Sequence, residues 1–169
     1  MDFKAHIRHV PDFPKPGILF ADLTPLFGHA GAFSALIEAF AARYRGKGIT
    51  HVVGIESRGF ILGAPLAVAL GAGFVILRKP GKLPRATFSR SYALEYGEAT
   101  LHLHDDALKS GDRVVLIDDL VATGGTLAAG MGLLADAKAT LVELAAVVEL
   151  EALGARKRLN APLHAIVTF

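Results

Sequence analysis

"VVLIDDLVATGGT", residues 114–126, decides how this chain is read. An unbroken apolar run, Val114 to Ile117, leads into two adjacent carboxylates, Asp118 and Asp119. Four residues after Asp119 begins Thr123-Gly124-Gly125-Thr126. A short run without polar interruption is the pattern of a strand buried on both faces, as in a parallel sheet. The glycine–threonine segment opens "TLAAGMGLLADA", residues 126–137, which reads as a helix. Between a strand and a helix, backbone N–H groups converge with the helix N-terminus and make an anion site whose usual guest is phosphate. The hydroxyls of Thr123 and Thr126 add donors. The segment is neither a Walker loop nor a Gly-x-Gly-x-x-Gly dinucleotide loop.

The carboxylate pair has three chemical uses: binding a metal, acid/base work, or accepting hydrogen bonds from a diol. Neighbours along a strand point to opposite faces, so both meet one ligand only if the chain turns there. A phosphate close by repels bare carboxylates unless the ligand also brings hydroxyls, a developing positive centre or Mg²⁺. A ribose 5-phosphate meets these demands, with its phosphate on the N–H groups and its hydroxyls on the aspartates.

Outward from this block, strands alternate with helices. Four prolines in "VPDFPKPGILFADLTPLF", residues 10–27, predict an extended, turning arm without a helix. Helical spacing of Phe33, Leu36, Ile37, Phe40 and Tyr44 predicts a helix over 32–44, stopped by "GKG". "HVVGI" (51–55) and "FVILRK" (74–79) read as strands, with a helix from Ser57 to Leu70 between them and Gly71 near its end. "TFSRSYALEYGEATLHLH", residues 87–104, predicts a hairpin around Gly97 projecting from the main sheet. "TLVELAAVVEL" and "HAIVTF" close the chain as two more β-rich runs around a short helical piece. The order predicts an α/β protein with a mostly parallel central sheet flanked by helices. Ligands of such folds sit at the carboxyl ends of the strands, where "DDLVATGGT" lies.

Composition narrows the function classes. The 169 residues suit one domain, and 52% hydrophobic residues suffice for a sizeable core. No apolar run approaches the roughly 18–20 residues of a membrane span, and net charge is only +2, with no basic tract of nucleic-acid-binding density. Neither membrane nor nucleic acid is therefore expected as a partner. Cysteine is absent, which excludes disulfide and thiolate chemistry.

The whole block resembles the 5-phosphoribosyl 1-pyrophosphate (PRPP) signature of the type I phosphoribosyltransferases. "DFPKPGILFADLTPL", "GIESRGFILG", "LRKPGKLP" and "SYALEYG" extend the resemblance along nearly the whole chain, in the order and spacing of the family members that act on adenine. The resemblance implies that adenine and PRPP give AMP and pyrophosphate with Mg²⁺, in a cytoplasmic homodimer. It implies one phosphoribosyltransferase domain over 1–169, with residues 1–30 as a base-binding hood and 80–104 as a flexible catalytic hairpin. Asp118 and Asp119 would hold the ribose hydroxyls, while Ala122, Thr123, Gly124, Gly125 and Thr126 would wrap the 5-phosphate. Ser57 and Arg58 would meet the pyrophosphate beside a strained peptide, with Arg78, Lys79 and Lys82 adding positive charge, one of them across a dimer interface. Leu19, Phe20 and Ala21 would face adenine; Ala21 stands where many relatives carry arginine. Glu95 would be the general base. No side chain is assigned to the metal, which would be held mainly by PRPP.

Overall fold

A computed structural model describes residues 1–94 and 97–169. The arm begins with two short antiparallel strands, β1 (Arg8–Pro11) and β2 (Leu19–Asp22), with Val10 opposite Phe20. It is not free of helix as predicted: Thr24–Gly28 forms a short α1. Pro25 lies in its first turn, where a missing N–H costs no intrahelical bond and the fixed φ favours the helix.

The next elements follow the sequence reading closely. They are α2 (Ala30–Tyr44), β3 (His51–Ile55), α3 (Arg58–Leu70) and β4 (Gly73–Leu77). Gly71 ends α3 in the left-handed conformation that glycine adopts freely. β4 stops before Arg78, which makes only an isolated bridge to His102, so the predicted strand was two residues too long at its end. β7 (Arg113–Val121), α4 (Gly125–Asp136), β8 (Thr140–Glu149) and β9 (Leu163–Thr168) complete the core, after the hairpin strands β5 (Thr87–Leu94) and β6 (Gly97–His104).

Five strands form one parallel sheet in the order β4-β3-β7-β8-β9. The predicted α/β class and parallel sheet are borne out. Alternation along β7 sends Val115 and Ile117 into the cluster with α2 and α3, and Val114 and Leu116 into the one with α4. Both faces are covered, which is why the strand reads as continuously apolar. From β3 the chain winds outward to β4; from β7 it winds the other way, to β8 and β9. The crevice between the carboxyl ends of β3 and β7 is therefore the switch point of the sheet, the usual ligand site of open α/β folds.

β5 and β6 form their own antiparallel ribbon, in register from Thr87 opposite His104 to Leu94 opposite Gly97. Gly97 thus opens β6, and residues 95 and 96 between the strands lie outside the described residues. The ribbon is separate from the main sheet as predicted, but its base does not project. Leu101 and Leu103 are buried in the α4-side core, and Arg90 is ion-paired with Asp136 at the end of α4.

Candidate active site

Asp118 and Asp119 do not lie at a turn, because β7 continues to Val121. They meet one cavity for another reason. β3 pairs with β7 only as far as Gly54 opposite Ile117, so β7 overhangs its neighbour and its edge is open beside both carboxylates. Asp119 is ion-paired with Arg58 at the start of α3, and Asp118 Oδ1 lies 3.4 Å from where a Cβ on Gly59 of the same helix would sit, so both carboxylates come to the open edge beside that helix. A pocket of about 260 Å³ is lined by Glu56, Ser57, Arg58, Lys79, Tyr92, Asp118, Asp119 and Thr126. A smaller one of about 160 Å³ is formed by Asp118 and the loop 120–127, so Asp118 and Thr126 border both.

Gly124 takes φ +81° as the N-cap of α4, a left-handed conformation costly for other residues. Its would-be Cβ meets Ala155 at 3.2 Å and Leu159 at 3.3 Å, so the segment after β8 supports the loop from behind. Arg156 holds that segment through the buried Glu149, its Nη2 donating at 2.6 Å. Gly125 admits the hairpin: a Cβ there would lie 3.3 Å from the Ala93 carbonyl oxygen and 3.5 Å from both the Tyr92 ring and Arg158 Nη1. Tyr92 and Ala93 therefore lie across the N-terminus of α4.

On the other side of the pocket, the Glu56–Ser57 peptide is cis. Arg58 is ion-paired through Nε with Asp119, which is only 3% exposed, and its guanidinium carbon lies 5.6 Å from the centre of the Phe20 ring. This contact brings the arm to the pocket. Leu19 is exposed, Phe20 packs edge-on against Phe13, and Ala21 is buried in the core. The Ala21 side chain therefore turns away from the pocket.

Glu56 organises the basic segment. Its carboxylate accepts from the Lys79 N–H at 2.8 Å and from Arg78 Nε and Nη2 at 3.2 and 3.4 Å. Arg78, with the Lys79 N–H, holds the Glu56 carboxyl below its usual range. Lys79 lines the pocket; Arg78 is turned to Glu56, with Nη1 3.5 Å from the Lys82 carbonyl, and Lys82 is exposed outside the lining. Three of the assigned cations therefore divide: Arg58 and Lys79 border the cavity, Arg78 braces it through Glu56. Burial pushes the Asp118 carboxyl well above the ordinary aspartate value, and the neighbouring Asp119 adds to the shift.

The sequence reading missed Glu56, Tyr92 and Arg158. Glu56 and Tyr92 stand inside "ESRG" and "SYALEYG" and were legible as motif members; Arg158, 32 residues beyond Thr126, gave no local signal. Glu95 lies outside the described residues.

Comparison with known proteins gives the family. Residues 27–162 match the family model of the phosphoribosyl transferase domain. Adenine phosphoribosyltransferase of Edwardsiella ictaluri is 54% identical over 158 residues, covering 94% of this chain and 86% of that protein. Adenine phosphoribosyltransferase of Thermoanaerobacter pseudethanolicus superposes with a TM-score of 0.96 at 44% identity, over 99% of this chain and 98% of that one. The Saccharomyces cerevisiae enzyme, crystallised with adenine and an imino-altritol bisphosphate, superposes with a TM-score of 0.95 at 40% identity, over 98% and 97% of the two chains. With half its residues shared over nearly its full length, the chain belongs to the adenine phosphoribosyltransferase family of phosphoribosyltransferase-domain proteins.

Proposed function

We propose that this protein moves the 5-phosphoribosyl group of PRPP onto nitrogen 9 of adenine, giving AMP and pyrophosphate, a purine-salvage reaction. The observation that carries the reading is that two neighbouring pockets share Asp118 and Thr126 in their linings. A phosphate nest lies at one end, a basic turn at the other, and two carboxylates lie between them.

In this reading the 5-phosphate rests on the N–H groups of 122–126, with the Thr123 and Thr126 hydroxyls. The ribose hydroxyls meet Asp118 and Asp119. Ser57, Arg58 and Lys79 receive the pyrophosphate, with Arg78 holding the segment through Glu56. As the bond from C1 to the pyrophosphate oxygen stretches, positive charge grows on the ribose, and carboxylates fixed nearby favour it. Tyr92 and the hairpin exclude water, which would otherwise hydrolyse PRPP. Glu95 is our choice of base for the purine proton. Glu95→Gln keeps the size and removes the base, so kcat should fall by about 10² to 10⁴ with PRPP affinity little changed. A kcat within about threefold of wild type, less than ~1 kcal/mol of barrier, would reject that role.

Mg²⁺ fits as a companion of the substrate. The pocket sets Arg58 and Lys79 against Glu56, Asp118 and Asp119, a poor balance for a polyanion arriving alone. Glu56 is engaged by Arg78 and Asp119 by Arg58, and no side chain is assigned to the ion, which the oxygens of PRPP would hold. Bound there, the ion would neutralise charge on the departing pyrophosphate. A cytoplasmic homodimer belongs to the same proposal.

Adenine is chosen by hydrogen-bond signs. It offers a donor at position 6 and an acceptor at N1, and a 6-oxopurine reverses both. Main-chain groups of Leu19, Phe20 and Ala21 would supply the matching carbonyl and N–H, which fits an alanine whose side chain is buried. Each unpaired buried group costs about 1–3 kcal/mol, so kcat/KM for adenine should exceed that for hypoxanthine and guanine by at least about 10². Steady-state assays with PRPP and a purine panel test this. Comparable turnover of hypoxanthine would move the assignment to 6-oxopurines.

A further inference from the structure

Arg158 stands apart from the other arginines. Among the described residues, each of the others holds a carboxylate or, for Arg113, the Lys47 carbonyl. The Arg158 side chain does neither, yet its main chain is well fixed. Ala155 and Leu159 on either side of it are buried against the back of Gly124, and the Arg158 N–H donates to the Ala155 carbonyl at 2.9 Å. From there the side chain reaches the first turn of α4, with Nη1 3.5 Å from where a Cβ on Gly125 would sit. The positive end of a helix disfavours a cation. A phosphate in the loop 122–126 would reverse that sign.

The hairpin comes to the same point. The Ala93 carbonyl oxygen lies 3.3 Å and the Tyr92 ring 3.5 Å from that Cβ position. A cavity of about 360 Å³ separates the hairpin from α4, and Arg90 and Arg158 both line it. Arg90 is closed on Asp136 at the far end of the helix, so among the described residues an ion pair ties the hairpin to α4 at that end only.

Building on the substrate reading above, we propose that Arg158 is a positioning residue for the transfer: with the 5-phosphate in the loop, its guanidinium settles on the start of α4, donates to the Ala93 carbonyl and fastens the near end of the hairpin over PRPP. A carbonyl oxygen has two acceptor sites, so Ala93 takes this bond without giving up a strand bond. The fork of guanidinium donors lets one side chain serve the carbonyl while its charge faces the phosphate.

Hydrogen exchange of the hairpin amides at 87–94, followed with and without saturating PRPP and Mg²⁺, tests the latch. In wild type PRPP should slow exchange there at least about tenfold. In Arg158→Ala and Arg158→Gln the slowing should fall below about threefold, and Arg158→Lys, which keeps the charge and a donor, should recover part of it. Hydrolysis of PRPP without adenine should rise at least about threefold relative to AMP formation in the Ala and Gln variants, because water enters under a loose hairpin. Before PRPP is added, both variants should exchange like wild type, whereas a residue that only supports the fold would change that baseline. Protection by PRPP as strong in both variants as in wild type, or a faster baseline in both, overturns the latch, while adenine turnover by wild type keeps the substrate reading intact. Absence of PRPP-dependent turnover in wild type overturns both.

Discussion

Asp118 is a residue whose native surroundings work against its ionised form. Burial and the charge of Asp119 raise its carboxyl above the unfolded value. For a raised carboxyl, the folded state holds the proton more tightly than the unfolded chain. Its contribution to stability is therefore full at acid pH, below the ordinary aspartate value, and is lost as pH rises through the native value. Asp118→Asn removes that loss. The variant should melt about 2–4 °C above wild type at pH 7 without ligand, roughly 1 kcal/mol in a chain of this size. The gain should shrink toward zero near pH 4. Catalysis should move the other way, with kcat/KM reduced about 10- to 100-fold through lost charged hydrogen bonds to the ribose. Calorimetric melts at both pH values check the sign, and an equal gain at pH 4 and pH 7 would contradict the electrostatic origin.

The start of α4 shows a loop, a helix and a distant support acting as one element. Gly124 turns the chain in a left-handed conformation, while Ala155 and Leu159 close the space behind it. Gly124→Val adds a branched side chain in that conformation and pushes on both neighbours. The conformational penalty alone is about 1–2 kcal/mol, so the melting temperature should fall by several degrees. PRPP binding should weaken at least about tenfold, because converging N–H groups are displaced. Titration calorimetry below the melting range separates the effects, and unimpaired PRPP affinity would remove the phosphate from this loop. The hairpin depends on the same helix, since Arg90 clasps Asp136 at one end and Tyr92 crosses Gly125 at the other.

For the whole molecule, the outer face of α3 bears on the proposed dimer. Ile61 and Val68, two turns apart, are 43% and 82% exposed on a helix that is apolar nearly all round, a composition usual for a covered helix. Lys82 lies outside the pocket of its own chain, which makes it the basic residue best placed to serve a partner. Activity per chain should fall on dilution below the dimer dissociation constant, and Val68→Lys should move that fall to higher protein concentration. Light scattering alongside the assay checks both, and a fully active monomer would contradict the shared site. Among the described residues, no helix is long and apolar enough to cross a membrane.

The sequence by itself determined the order of strands and helices, since the apolar runs of β3 and β7 and the 3.6-residue spacing of α2 are local signals of burial. It also determined the turn into α4, because the positive φ at Gly124 and the helix start after it are properties of a few adjacent residues. What joined Asp118 to Asp119 in one cavity was tertiary: the shorter β3 leaves the edge of β7 open, and no local pattern states where a neighbouring strand ends. The division of the basic residues was tertiary for the same reason. Arg58, Arg78 and Lys79 carry equal formal charge in the sequence, but Asp119 and Glu56, distant carboxylates brought close by the sheet, decide which side chain each guanidinium meets. Glu149 and Arg156 likewise act far from the loop they support, through packing that only the folded chain creates.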